Sequence, residues 1–492
     1  MYIKDISPMA KLHYKIHTGK QHGLEDMMEE ILDEDIKYSL IILPDSSSND
    51  GDYHLELKDI GIPCLVLDHH IYDGDTFNAV IINNQLSPNY TNKDLTGAGV
   101  VFQFCRYIDE LLHTDYAWRY VDLAALGIIS DMGSVLNYEN RYIIKCGLEK
   151  EHKNFFFQTV LDKQAYSIGD NLNSISISFY VTPLLNALIR VGTMDEKSGL
   201  FEAFIHGHEK VPSTKRGEKG MFETLATQMA RVCTNARTHQ NADKDKAVEN
   251  LSVRIENEGL DQHQVLVVLL RDEDDFPSTL NGLIAMQLCS KYKKPTLVLR
   301  PNNEGYARGS ARGPSESELP SLKRYLDSTG LFEYNAGHDM AHGSSIKIKY
   351  IDTLLEKADQ ELARYDFNNE FYSVNFERKA YDEDLSAIIY DIDNYKSIWG
   401  QGCPEPLIAI NNIDISKKDI SVIGKNKDTI RFTVNGITYI KFHAKEMIAE
   451  LENYDSMRLE VIGRANVNEW MGKFTPQVMI NNYSVCDNSL MF

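Results

Sequence analysis

The chain has 492 residues, enough for two to four domains with cores of their own. Its hydrophobic fraction of 43% and charged fraction of 25% are ordinary for a globular protein, and the absence of a run of 18 or more apolar residues predicts no membrane span. A net charge of −21 argues against a body coated with nucleic-acid-binding surface, but leaves room for a narrow basic channel and for carboxylates that hold metal ions.

In chain order, the first part alternates strand and helix patterns. Tyr38–Leu43 and Cys64–Leu67 are apolar throughout, as strands of a parallel sheet covered on both faces would be. Asp45 follows the first, Asp68-His69-His70 the second, and Asp131 a third apolar run, Val121–Ile129. This pattern predicts three carboxylates at the sheet edge where open α/β folds bind ligands. Met221–Arg237 predicts a long helix, and Asn241–Lys246 a solvated linker after it. A second α/β unit is expected from Val265–Leu270, Leu280–Tyr292 and Pro295–Leu299, followed by a helix over Asp352–Arg364. From about 403 the pattern becomes short strands, with a hairpin at Asn435-Gly436, and suits a small barrel of the OB type. The seven cysteines stand singly, with no C-x-x-C pair and no signal-peptide core at the N-terminus, so a reducing cytoplasm is the expected compartment.

Carboxylates and imidazoles without thiolates make a ligand set suited to Mn²⁺ or Mg²⁺. Taken alone, Asp45 also fits a turn or helix-cap residue. The glycines at 309, 313, 337 and 343 fit either ordinary loops or close approach of backbone amides to phosphate.

Taken together in order, these segments resemble the DHH phosphoesterase superfamily, and within it the RecJ-like single-strand DNA exonucleases. LVLDHH resembles the defining motif, and ALGIISDMGSV (Ala125–Val135) the fourth motif. Asn83-Asn84-Gln85, Leu95–Val101, Asn140-Arg141 and Gly147-Leu148 lie where the family has its intervening stretches, and VTPLLNALIRVG resembles a RecJ segment. Arg308–Gly313 and Ala336–Gly343 resemble the DHH-associated domain, and Gly463–Trp470 with Pro476-Gln477 the RecJ OB domain.

The resemblance implies a parallel-sheet DHH domain (1–165), a helical connector (166–255), a DHH-associated α/β domain (256–350), a helical linker (351–402) and an OB-fold domain (403–492). It implies a two-ion Mn²⁺ or Mg²⁺ site in the cleft between the two α/β units. Asp45 would bridge the ions, His69 and Asp131 would complete one site, His70 would contact the scissile phosphate, and Asp68 would orient its neighbouring histidine. Asn186, Arg190, Gly309, Ser310, Arg312, Gly337 and His338 would bind substrate, whereas His342 is expected to be structural. Trp470 would stack a base or else fill the barrel core.

The family's first motif, an Asp-x-Asp on a strand, has no counterpart before Asp45. Asp5 reads as the end of a helix and Lys11–Ile16 as the family's second strand. One ion would then keep three ligands and the other only the bridge, so the chain alone is expected to show little or no nuclease activity; the missing strand would come from a longer true start or from a separate upstream polypeptide, or else the protein is a decayed, noncatalytic one. The expected function is hydrolysis of single-stranded DNA, from the 5′ end by resemblance, in repair or recombination. The alternatives are a noncatalytic single-strand-binding or recombination subunit, and a phosphodiesterase of oligonucleotides or cyclic dinucleotides.

Overall fold

The computed structural model describes residues 1–17, 23–33, 38–74, 77–169 and 172–487. The chain forms two compact units, one of Met1–Thr182 with Ser373–Phe492 and one of Pro183–Tyr372.

The first unit opens with a short helix α1 (Tyr2–Ile6), pinned where the Tyr120 hydroxyl donates to Asp5 at 2.6 Å. Residues 11–16, expected as a strand, join no sheet among the described residues. Strands β1 (Ile41–Pro44), β2 (Cys64–Asp68) and β3 (Val80–Asn83) pair in parallel, in that order, with helix α2 (Gly51–Asp59) between the first two. β2 is central, and Cys64, Val66 and Leu67 are buried, as a continuous apolar run requires.

Helices α3 (Gly97–Leu112), α4 (Val121–Ser130) and α5 (Tyr138–Glu149) follow. Asp131 therefore follows a helix, not a sheet strand as the apolar run suggested. α4 buries residues all round, including Val121, Ala125, Ile128 and Ile129, which erases the amphipathic period that would have marked it. α5 approaches it so closely that a Cβ on Gly147 would lie 2.4 Å from the Ala125 Cβ.

In the second unit, α6 (Thr182–Val191) leads to α7 (Leu225–Glu258), a helix of 34 residues. Asn241–Lys246, expected as a linker, lies inside α7. Its Asn, Asp and Lys are polar, but with Ala242 among them and no Gly or Pro the stretch does not break a helix. One helical stretch, Ser174–Val191, is long and apolar enough by composition to cross a membrane, although it carries Asn186 and Arg190 and a π-helical segment at Ile177–Val181.

Strands β4 (Leu266–Leu269), β5 (Thr296–Pro301), β6 (Tyr306–Arg312), β7 (Phe332–His338) and β8 (Ala341–Lys347) form a sheet of order β4-β5-β6-β8-β7. Helix α8 (Asn281–Tyr292) lies between β4 and β5 in sequence, and α9 (Ile351–Glu361) follows β8. The glycine-rich stretches expected as phosphate loops are largely strand. Gly309 lies within β6, where a Cβ would meet the Val298 carbonyl oxygen at 2.0 Å, so close strand approach alone requires it.

The chain then returns to the first unit through β9 (Phe376–Lys379) and α10 (Leu385–Asn394). Strands β10 (Leu407–Ser416), β11 (Ser421–Ile423), β12 (Thr429–Val434), β13 (Ile437–Lys441), β14 (Ser456–Trp470) and β15 (Lys473–Asp487) complete a seven-stranded sheet of order β9-β10-β14-β15-β13-β12-β11. A small five-stranded barrel of the OB type was expected. The outer strands β9 and β11 are not paired with each other, so the sheet stays open. The expected hairpin turn is present, with Asn435 and Gly436 both at positive φ. The core gathers Ile408, Ile430, Leu459 and Val478 around a stacked Phe432–Tyr439 pair at 5.1 Å.

Candidate metal centre

β1 and β2 end in register. The Asp45 amide donates to the Leu67 carbonyl at 2.8 Å, which sets Asp45 and Asp68 at the same carboxyl edge of the sheet. Asp45 adopts φ +62, a conformation that Asp tolerates better than most residues. Its carboxylate rests on the first turn of α3, where a Cβ on Gly97 would lie 2.1 Å from its Oδ1. Glycine is thus required for the carboxylate to reach the positive end of that helix.

Asp68 is 1% exposed. Burial disfavours its charge, yet hydrogen bonds from the His70 ring, Ser48 and the His69 amide prevail and hold its carboxyl well below the usual carboxylate range. His70 Nδ1 lies 2.7 Å from Asp68 Oδ1, and this bond raises the His70 pKa above its ordinary value against the opposing effect of burial.

A prediction about acid stability follows for the metal-free protein. A lowered carboxyl pKa contributes stability that is present above the unfolded value, ordinarily 3.8, and is lost as pH falls through the folded one. Asp68→Asn is therefore expected to flatten the acid limb of the melting-temperature profile. Parallel profiles for variant and parent would contradict this.

His69 turns its Nε2 toward two carboxylates, 3.1 Å from Asp45 Oδ1 and 3.3 Å from Asp131 Oδ2. Ligand atoms of Asp45, His69 and His70 all lie within 4.8 Å of one another. Asp131 caps the C-terminal end of α4, where the helix dipole is negative, and its pKa is raised by burial and by the nearby Asp45 charge, against the pull of His69. Two carboxylates brought together in this way call for a cation. The donor set of hard oxygens and one imidazole fits Mn²⁺ or Mg²⁺.

Several supporting residues had no assigned role in the sequence. Asn83 donates to Ser48 Oγ at 2.9 Å and to the His70 carbonyl at 2.8 Å, tying the loops after β1 and β2 together. Asn84 donates to the carbonyls of Asn92, Lys93 and Leu95, shaping the approach to α3. Asn140 donates to Asp94 and Ser134, both at 3.0 Å, linking that approach to the loop after Asp131. The hydroxyls of Ser47 and Thr96 are buried beside this edge without a hydrogen-bond partner. Their positions next to Asp45 and Gly97 could not be inferred without knowing which loops meet.

In the second unit, Ser310 and Arg312 share β6, and both side chains reach the start of α8. A Cβ on Gly282 would lie 2.7 Å from Arg312 Nη2 and 3.6 Å from Ser310 Oγ. Arg312 is half-buried. Burial and the neighbouring Arg190 charge lower its pKa, with Cys289 opposing. Arg190 is exposed by surface area, so crowding of its guanidinium, not full enclosure, lowers its pKa, helped by Arg237.

Arg237, absent from the sequence expectations, therefore joins an arginine group in which no guanidinium has a carboxylate within salt-bridge distance among the described residues. Arg237 bonds Gln240 and Arg312 bonds its own strand at Ala311. Gly337 and His338 end β7 and are exposed, Asn186 is half-buried on α6, and His342 is buried. Trp470 ends β14, and its side chain lies outside the described residues.

A family model for the RecJ OB domain matches residues 383–482. A putative single-strand DNA-specific exonuclease, YorK, of the SPbeta prophage in Bacillus subtilis is 35% identical over 98% of this chain and 84% of its own. The single-stranded-DNA-specific exonuclease RecJ of Bacillus subtilis is 25% identical over 92% of this chain and 54% of its own. The crystal structure of Thermus thermophilus RecJ in complex with Mn²⁺ superposes with a TM-score of 0.68 at 17% identity, covering 93% of this chain and 63% of that one. The chain thus spans most of YorK but less than two thirds of these RecJ proteins, and it belongs to the RecJ-like family of the DHH superfamily.

Proposed function

We propose that this protein is a metal-dependent exonuclease of single-stranded DNA. The observation that carries the reading is the convergence of Asp45, His69 and Asp131, with His70 beside them held by Asp68. YorK and RecJ, whose names describe single-strand exonucleases, support the substrate class. Asp45, His69 and Asp131 would hold one divalent ion, which when bound supplies positive charge against a phosphodiester and acidifies water.

Asp68 fixes the ring of His70 so that it faces the scissile phosphate, a role that sets tautomer and direction. Arg312 and Arg190, with no carboxylate partner among the described residues, supply the charge, and Ser310 the hydroxyl, that hold phosphates of the strand. Gly309 and Gly337 keep the backbone of that surface low. Attack from the 5′ end and a role in DNA repair belong to the same proposal.

The described residues gather ligands for one ion. β1 is an edge strand of its three-stranded sheet, with only half-buried residues from Ile41 to Leu43. A further strand paired there would bring carboxylates for a second ion. Turnover by the chain alone is accordingly expected to be slow.

The test is incubation with Mn²⁺ and an end-labelled single strand, the matching duplex and a dinucleotide. Slow release of mononucleotides from the single strand, absent with chelator, is expected. Binding of the strand that persists in chelator, with no product under any metal, would support the noncatalytic reading instead. Cleavage of the dinucleotide alone would support a short-substrate phosphodiesterase.

The arginine group gives a separate prediction. Arg312→Met removes a half-buried charge that faces another arginine, and is expected to raise the melting temperature while weakening single-strand binding about tenfold, in line with the worth of a charge-assisted contact. A variant that melts lower and binds equally would show that Arg312 serves the fold alone.

A further inference from the structure

The loop that carries Asp131 is held from the far end of the chain. Met132 takes φ +60, and the Gly133 amide returns to the Ile128 carbonyl at 2.8 Å, so the chain turns sharply after the ligand. Two residues on, the Val135 amide donates to the Gln401 carbonyl at 2.8 Å. Gln401 sits in a tight turn closed on both sides by Gly400 and Cys403, whose amides and carbonyls exchange bonds at 2.8 and 3.1 Å.

The fit leaves no room for side chains. A Cβ on Gly400 would meet Val135 Cγ1 at 3.0 Å, and one on Gly402, at φ +79, would meet Ser134 Oγ at 2.6 Å. Val135 is 3% exposed.

The same turn is anchored to the C-terminal sheet on either flank. Before it, Asp393 accepts from the Val467 amide of β14 at 3.1 Å. After it, Glu405 pairs with Arg464 of β14 at 3.5 Å, and Leu407 is in register with Arg464. A continuous path of bonds therefore runs from β14 through residues 393–405 to the loop after Asp131, all within one compact unit.

We infer that the turn Gly400–Cys403 is a latch that holds the Asp131 loop in the register needed for metal binding, so that the C-terminal sheet and the metal centre act as one piece. This rests on the reading of Asp131 as a ligand. Gly400 and Val135 are positioning residues: neither touches the ion, and both act through the loop.

The test is Mn²⁺ binding, measured by titration on the intact chain, with melting temperature and single-strand affinity in chelator as companions. Gly400→Val is expected to weaken Mn²⁺ binding by about 10–100-fold, the range for residues that support ligands, with single-strand affinity in chelator unchanged. Val135→Ala in the same chain opens space for the added side chain and is expected to recover most of the loss. If Gly400→Val does not fold, Gly400→Ala, which adds the one Cβ 3.0 Å from Val135, is expected to show a smaller loss in the same direction. Unchanged Mn²⁺ affinity in a folded Gly400 variant, or a loss that Val135→Ala leaves untouched, would overturn the latch. Asp131→Ala separates the two ideas: if that variant binds Mn²⁺ as the parent does, the ligand assignment itself is wrong.

Discussion

Asp131→Ala is expected to reduce Mn²⁺-dependent hydrolysis of a single strand by well over about 100-fold, since loss of a residue that merely supports a metal ligand already costs 10–100-fold. Asp131 Oδ2 and Asp45 Oδ1 approach the same His69 nitrogen at 3.3 and 3.1 Å, so removing either carboxylate leaves at most two donors facing that point. The Asp131 side chain is 54% exposed past the C-terminal end of a buried helix, so its charge costs the metal-free fold little. The variant is therefore expected to melt at the same temperature as the metal-free parent or slightly above it. Comparing rate and melting temperature in one preparation separates loss of a ligand from loss of the fold. Equal rates in the two proteins would remove Asp131 from the site.

Gly97→Ala is expected to have a comparable effect without touching any ligand. The added methyl would fall 2.1 Å from Asp45 Oδ1 and 2.6 Å from its Cγ, so the carboxylate must leave the first turn of α3. Alanine favours a helix over glycine by roughly 1 kcal/mol in a helix interior and by less at the first position, which Gly97 holds, so secondary structure alone predicts a slightly more stable protein. The two effects oppose each other: α3 gains, while Mn²⁺ affinity falls by about 100-fold or more as Asp45 is displaced. Isothermal titration with Mn²⁺ and thermal melting in chelator read the two separately. Unaltered affinity would mean that Asp45 binds no ion from this position.

How much of this was legible in the sequence differs from residue to residue. Asp45 and Asp68 were, because each ends a short apolar run in a parallel-paired strand, half-buried at the edge in β1 and buried at the centre in β2, and both structure and sequence place them at one edge. The helical nature of Val121–Ser130 was not, because a helix buried on all sides carries no polar stripe. Continuation of α7 through Asn241–Lys246 was missed because charged residues that leave a helix face solvated read as linker. The open seven-stranded sheet differs from the expected barrel because β14 and β15 are 15 residues each, far longer than the runs of five or fewer read from alternation. Glycine meaning was the least legible. Gly97, Gly309 and Gly400 each make room for a group distant in sequence, an aspartate, a carbonyl and a valine, and nothing local distinguishes them from loop glycines. The arginine group was half legible: Arg190 and Arg312 lie in family-like segments, whereas Arg237 is one cation among many on a long helix.

The account depends most on a divalent ion held by Asp45, His69 and Asp131. Titration of Mn²⁺ into the metal-free chain, followed by electron paramagnetic resonance of the free ion, tests it most directly. The predicted result is one tightly bound ion per chain, lost in Asp45→Ala and in His69→Ala. Binding of the same amount at the same affinity in all three proteins would contradict it.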